Sequence, residues 1–343
     1  MIEGGIVMSI QTPNHPLFLT GDAFKKRIQT QSRTRSSSGT VLQVSSALLT
    51  DENGSYPEPG TSFMRCKRPS CLLSQPNTVG VIGGVSVLST LIFLEKLAYW
   101  GSRNGKECPP FVVCSDPMLS KVLSSRGPFP SARSRMAHIK LKQDQVIENL
   151  KYTMNFLQQS GARGLAMPCH LSHAWHGEIS EDGSLPFLHV GDCVAMELKK
   201  AKLKPIHATN TVRIGLLTTD SLFVGSYYQD KLQSQGFEVV LLDKETEEHT
   251  LVPAVEALSR KDIEGARNLL RIAIHVLLVR AVNVVILASD DLLGVLPHND
   301  PLLRKCIDPM DALARSTIHW AETTAKSLNH NASFTNSKKA GKY

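Results

Sequence analysis

The sequence is short of aromatic residues, which fill 6% of its 343 positions, and its seven cysteines include no Cys-x-x-Cys pair. An odd cysteine count without paired spacing excludes a disulfide framework and a zinc ribbon, and it fits a reducing compartment. A long apolar run is missing too. Residues 272–287 come nearest, but His275, Arg280 and Asn283 interrupt them, short of the roughly 18 residues that cross a bilayer. They read as a helix and then a buried strand, with no membrane as partner. Nor does one charge dominate. Lys and Arg number 38 against 31 Asp and Glu, scattered through both halves without interleaved aromatics, so nucleic acid is not an expected partner. What is present is 42% hydrophobic residues, in a length suited to two domains and a tail.

Residues 1–77 differ from the rest. They carry Arg27, Arg33, Arg35 and the hydroxyl run Ser36, Ser37 and Ser38, few acids before Asp51, and four later prolines from Pro57 to Pro76. A basic, Ser-rich, acid-poor leader reads as disordered and as a transit peptide for a chloroplast or other plastid. The alternatives are a plain disordered extension or an upstream start with Met8 as another initiator, and then a cytoplasmic protein.

From Thr78 strands alternate with helices. The strands read as 79–82, 111–114, 164–167 and 187–190, then 212–217, 237–242 and 282–287; the helices as a pattern through Leu91 to Trp100, then 144–159, 222–235, 262–280 and 308–327. Such alternation gives parallel sheets covered on both faces, hence α/β. The series is doubled. Val79-Gly80-Val81-Ile82-Gly83 and Arg213-Ile214-Gly215-Leu216-Leu217 each open a half, and each half has a strand running into a polar turn: Met167-Pro168-Cys169-His170 and Leu287-Ala288-Ser289-Asp290. Ligands in open α/β sheets sit beyond the carboxyl ends of strands, so both turns are expected at one interdomain cleft. The expected division is a leader at 1–77, a first α/β domain at 78–195 plus 306–327, a second at 196–305, and a flexible tail at 328–343.

The glycines at 80–84 invite a phosphate cradle, but their GxxGG spacing matches neither GxGxxG nor a phosphate loop, and a tight strand-to-helix turn explains them. Cys169 lies just beyond a strand, at the start of a helix expected over 170–179, where unpaired amides and the positive helix end favour a thiolate. A buried structural cysteine is the alternative. His170, His173 and His176 follow, with Cys169, His173 and His176 at i, i+4, i+7. A metal site would need a second ligand cluster, which the sequence does not supply, so no metal is expected and capping or acid/base roles remain. Ser289, Asp290 and Asp291 read as a helix cap, and it is their register with Cys169, which capping does not require, that points to function.

These residues resemble the aspartate/glutamate racemase family, which is similar in turn to hydantoin racemases, maleate isomerases and arylmalonate decarboxylases. GARGLAMPCHLSHAW at 161–175 is similar to the family's strand followed by PCNTAH: Pro168, Cys169 and His173 match, while His170 and Leu171 replace Asn and Thr. VGVIGG at 79–84, Thr90, Ser115-Asp116-Pro117, IGLLTT at 214–219 and IDPMDALA at 307–314 extend the resemblance over about 78–325. VVILASDDL at 284–292 lies where the family has a strand followed by GCTEL, which places Ser289 at the second family cysteine and Asp291 at the Glu. Further departures are Ser86-Val87 for Gly-Pro, Ser221-Leu222 for Gly-Thr and Lys121 near a carboxylate-binding Arg.

The resemblance implies two similar flavodoxin-like three-layer domains with parallel sheets facing one cleft. It also implies proton transfer at Cα without cofactor, between a thiol from each domain. Carried over residue by residue, Cys169 is the proton-transferring thiol and Ser289 the group on the opposite face. Thr219, Lys121, Thr90, His173 and Asp291 are the substrate-binding candidates. A serine in place of the second thiol leaves three expectations: an amino-acid racemase-like enzyme acting on aspartate, glutamate or a similar small acid; a one-thiol decarboxylase or isomerase; or a protein that only binds a small amino acid or dicarboxylate. A homodimer is left open.

Overall fold

The computed structural model describes residues 75–103, 107–116, 118–119, 132–181, 183–206 and 210–340, with backbone alone for 132–141 and 328–340. The expected leader falls outside them apart from its last three residues. Lys121 falls outside them as well.

The first half runs β1 (Val79–Gly83), α1 (Val87–Gly101), β2 (Phe111–Ser115), α2 (Ala132–Gln159), β3 (Gly164–Ala166), a 3-10 turn (Leu171–Trp175), α3 (His176–Ser180), β4 (Phe187–Leu188) and α4 (Val190–Lys200). The second runs β5 (Val212–Leu217), α5 (Val224–Gln233), β6 (Phe237–Leu241), α6 (Lys244–His249), α7 (Leu251–Ser259), α8 (Ile263–Val279), β7 (Val284–Leu287), two 3-10 turns (Asp290–Leu292 and Pro301–Lys305), β8 (Cys306–Ile307) and the last helix α9 (Pro309–Ala340).

Each half holds a four-stranded parallel sheet, ordered β2-β1-β3-β4 and β6-β5-β7-β8. The central strands are buried on both faces, which is why they read as unbroken apolar runs. β1 is buried along its whole length, as are Ile214 to Leu217 of β5. Gly161 ends α2 at φ +99°, and the Ala162 amide donates to the Leu157 carbonyl at 3.0 Å. That left-handed close turns the chain straight into β3.

Several boundaries differ from the sequence expectation. The helix expected over 144–159 begins at Ala132, and the one expected over 170–179 is a 3-10 turn followed by a short α-helix. Helices α6 and α7 differ from the sequence expectation: 244–249 is mostly charged with no apolar stripe, whereas 251–259 is short, carries Pro253 and has its buried face at Leu251, Ala254 and Ala257. Cys306–Ile307 pairs with β7, so the second sheet reaches past the boundary drawn at 305. The last helix runs on to Ala340, where a tail was expected from 328.

A single buried cluster spans both sheets, from Val79 and Phe93 through Val190 and Tyr228 to Ile214 and Ile286. Helix α9 packs on α1 and α4. There Lys96 reaches Asp308 at 3.0 Å and Asp311 at 3.1 Å, and the Trp100 indole donates to Asp311 at 2.8 Å. Burial alone would lower the Lys96 pKa, but the two carboxylates overcome it and hold the ammonium form well above the ordinary lysine range.

Candidate active site

The site begins with Pro168. Its fixed φ suits the centre of a three-residue turn, and the Cys169 amide donates back to the Met167 carbonyl at 3.0 Å. That turn swings the Cys169 side chain off the end of β3 toward the second half. On its other flank lies the β1 loop. A Cβ placed on Gly84 would sit 2.3 Å from Cys169 Cβ and 3.0 Å from its sulfur. Gly84 therefore serves close approach to a cysteine, and Gly83, the last residue of β1, close approach to Ser115 on β2.

Cys169 is fully buried. The Ser172 hydroxyl donates to its sulfur at 3.1 Å, and its own S–H donates to Asp290 Oδ2 at 3.4 Å. Asp290 arrives from the second half, at the turn after β7. It also accepts from the His170 amide at 3.1 Å through Oδ2, with Oδ1 at 3.3 Å, and from the Ser89 hydroxyl at 3.0 Å. Ser89 is placed by the start of α1, where its amide is capped by Ser86 Oγ at 3.2 Å. The two strand-end turns thus meet, and in this form they are closed on each other.

The expected thiolate is corrected by this environment. Burial pushes the Cys169 thiol up to about 12, and the Asp290 charge pushes the same way; hydrogen bonds from Ser172 and Ser86 pull it only partly back. The short 3-10 turn after Cys169 does not outweigh burial of the sulfur and a half-buried carboxylate at hydrogen-bond distance. Cys169 is a thiol here.

Ser289 and its neighbours form a second group. Ser289 Oγ lies 2.9 Å from Thr219 Oγ1, which also donates to Asp291 Oδ2 at 3.4 Å. Three candidates, Ser289, Thr219 and Asp291, are therefore brought together. Ser289 is extended, with φ −142° and ψ 125°, so its side chain and that of Asp290 leave the backbone on opposite sides. Ser289 turns to its own half and Asp290 crosses to Cys169.

The remaining candidates lie beside these groups. Thr90 is buried, its hydroxyl 3.3 Å from the Ser86 carbonyl within α1. His173 is buried and donates through Nε2 to the Met167 carbonyl at 2.8 Å, which braces the Cys169 turn from below. Its ring stacks with His176 at 5.8 Å between centroids and lies 4.8 Å from that of His189. Burial first, and mutual repulsion next, holds the His173 pKa well below the usual imidazole range. Among the described residues no group of three or more His, Cys, Asp or Glu is placed to hold a metal ion.

Sequence reasoning named Asp290 in the turn opposite Cys169 without giving it a contact to the sulfur, and it missed Ser89, Ser172 and Tyr227, whose hydroxyl donates to the His170 carbonyl at 3.1 Å. One signal was available for Asp290: in an extended segment the neighbour of an inward residue points the other way.

Two parallel α/β halves that meet strand end to strand end around a thiol, an acidic turn and a set of hydroxyls form the architecture of a two-lobed small-molecule enzyme fold. The chain belongs to the Asp/Glu/Hydantoin racemase family, whose model matches residues 82–317. It is similar to the broad specificity amino-acid racemase RacX of Bacillus subtilis (strain 168), 22% identical over 245 residues that cover 70% of this chain and 96% of that protein. Among solved structures, an aspartate racemase homologue from Pyrococcus horikoshii OT3 superposes with a TM-score of 0.55 at 19% identity, covering 72% of this chain and 99% of that one. The Picrophilus torridus aspartate racemase gives 0.52 at 20% identity, covering 71% and 94%. These likenesses establish the α/β fold. Among the described residues no helix is long and apolar enough to cross a membrane.

Proposed function

We propose that the protein is a cofactor-independent amino-acid racemase-like enzyme that moves the Cα proton of aspartate, glutamate or a similar small acid through Cys169. The observation that carries this reading is the meeting of the two strand-end turns: Cys169 of the first half contacts the turn that holds Ser289 and Asp290 in the second. Family membership supports it. In this reading Cys169 works on one face of Cα and the Ser289 hydroxyl stands on the other. Thr219, Thr90 and Asp291 hold the substrate, Lys121 supplies a charge for a carboxylate, and His173 keeps the Cys169 turn in place. Cys169 is sealed in the closed form, so substrate reaches it only when the two turns part.

The test is deuterium exchange. Each enantiomer of aspartate, glutamate and a panel of other amino acids, incubated with the protein in deuterated water, is expected to gain deuterium at Cα and lose optical purity. Cys169→Ala is expected to reduce both by at least about 100-fold, the size of one lost acid/base group. Wild type indistinguishable from Cys169→Ala across the panel would remove the reading.

One observation favours a second chemistry on the same site. The opposite face offers a hydroxyl in place of a thiol, and Cys169 rests protonated, as suits a group that delivers a proton to an enolate left by decarboxylation or isomerisation. Turnover of disubstituted malonates or maleate, with no racemisation of amino acids, would select it.

A further inference from the structure

Asp290 crosses from the second half to the Cys169 turn, and the resemblance gives it no role. Its carboxylate meets three donors from two places in the first half: the Ser89 hydroxyl of α1, and the Cys169 thiol and His170 amide of the turn after β3. A carboxylate only accepts, so its contact with sulfur requires the proton to be on sulfur. The Ser89 hydroxyl and the His170 amide fix both oxygens, which leaves Oδ2 aimed at Sγ. No cationic side chain among the described residues hydrogen-bonds to this carboxylate; its charge is met by the Ser89 hydroxyl and the His170 amide, and it still bears on the sulfur.

We propose that Asp290 is a positioning residue for Cys169: its carboxylate, delivered from the second half, holds the sulfur as a thiol directed across the junction, so that a ligand must part the two before Cys169 can accept a proton. No bond to carbon is made or broken in this step; the proton stays on sulfur while the contact lasts. Parting the turns removes the acceptor and moves the negative charge away, and both changes make the thiolate easier to form. The device thus reserves the basic form of Cys169 for the ligand-bound site. The consequence for turnover rests on the function proposed above, whereas the protonation state of the sulfur does not.

The test uses the full chain with no substrate. The rate at which iodoacetamide alkylates Cys169, followed by peptide mass spectrometry from pH 8 to about 12 so that the range reaches the bend of a thiol held near 12, reports the thiolate fraction. Burial slows alkylation at every pH by a common factor, so the diagnostic quantity is the pH at which the profile bends, not its height. Asp290→Asn is expected to lower the bend by about one pH unit or more, a tenfold gain in thiolate below it. Asp290→Glu, which keeps the charge, is expected to stay near wild type. Ser89→Ala frees one anchored oxygen and is expected to give a smaller shift in the same direction. It decides the matter should Asp290→Asn not fold. Profiles that rise in height with an unmoved bend would mean that Asp290 only closes the site, and would overturn the proposal. Since no turnover is measured, this outcome is independent of the deuterium-exchange result.

Discussion

At the scale of single residues, the site is governed by which side chain an extended backbone sends across the junction. Alignment of VVILASDDL with the family pattern points to Ser289, and the extended conformation of Ser289 sends Asp290 to the sulfur instead. Gly84 is the other residue on which the geometry turns. A methyl group there would meet Cys169 Cβ at 2.3 Å and Ser172 Oγ at 2.8 Å, against atoms already held by hydrogen bonds. Gly84→Ala is therefore expected to destabilise the fold by about 1–3 kcal/mol through overpacking. It is also expected to loosen the Cys169–Asp290 contact, seen as faster alkylation of Cys169. A urea midpoint and a Cys169 reactivity both equal to wild type would show that the β1 loop has slack that the static packing hides. Cys169 itself was legible as a candidate because it follows a strand and a proline. Its protonation state was not, since that depends on a carboxylate 121 positions further along the chain.

At the scale of elements, the strands were legible and the polar helices were not. Parallel strands buried on both faces announce themselves as continuous apolar runs, and β1, β5 and β7 fall within one or two residues of expectation. Two-residue strands such as β4 and β8 carry too little pattern to bound, and KETEEH shows no stripe to find. The histidines around α3 and α4 give this scale its prediction. His170, His173, His176 and His189 all have pKa values lowered chiefly by burial, that of His189 to about 3. Lys231 of α5 lowers His176 and His189 further, while Asp192 of α4 raises both, and Asp290 and Asp308 raise His170. His189 also caps α4 through Nδ1, which accepts from the Gly191 amide at 3.0 Å and can no longer do so once protonated. A histidine whose folded pKa lies below its unfolded one takes up its proton by unfolding. The stability these four supply is therefore complete above about pH 6.5 and is lost as the pH falls below it, at about 1.4 kcal/mol per unit for each group still neutral in the fold. For His189 the loss continues to about pH 3. Urea midpoints are expected to fall between pH 7 and 5, and His176→Gln is expected to make that slope shallower. A slope identical to wild type would place the acid sensitivity elsewhere.

At the scale of the whole molecule, the two sheets are distinct in topology and continuous in their packing. Val79 and Phe93 of the first half share one buried cluster with Ile214, Tyr228 and Ile286 of the second, and the chain returns from β8 to lay α9 across α1 and α4. The doubling was legible from two matched strand openings. The shared core was not, since residues that read as the buried face of one half equally satisfy an isolated domain. Halves that bury apolar side chains against each other lose that burial if one unfolds alone, which couples their unfolding. The chain offers a direct way to see this. All three tryptophans, Trp100 in α1, Trp175 in the 3-10 turn after Cys169 and Trp320 in α9, sit in helices or turns of the first half or on its flank, whereas backbone circular dichroism reports both halves. In urea at pH 7.5, tryptophan fluorescence and far-ultraviolet circular dichroism are expected to give one coincident transition for the α/β body. Val79→Ala is expected to move both curves together by about 1–3 kcal/mol. If fluorescence moves while a second circular-dichroism transition stays in place, the halves unfold separately. The contact between Asp290 and Cys169 would then be a junction between two independent bodies, opened by their relative motion alone. A single transition instead makes that contact part of one cooperative structure, and parting the turns for substrate becomes a local opening that draws on the stability of the whole.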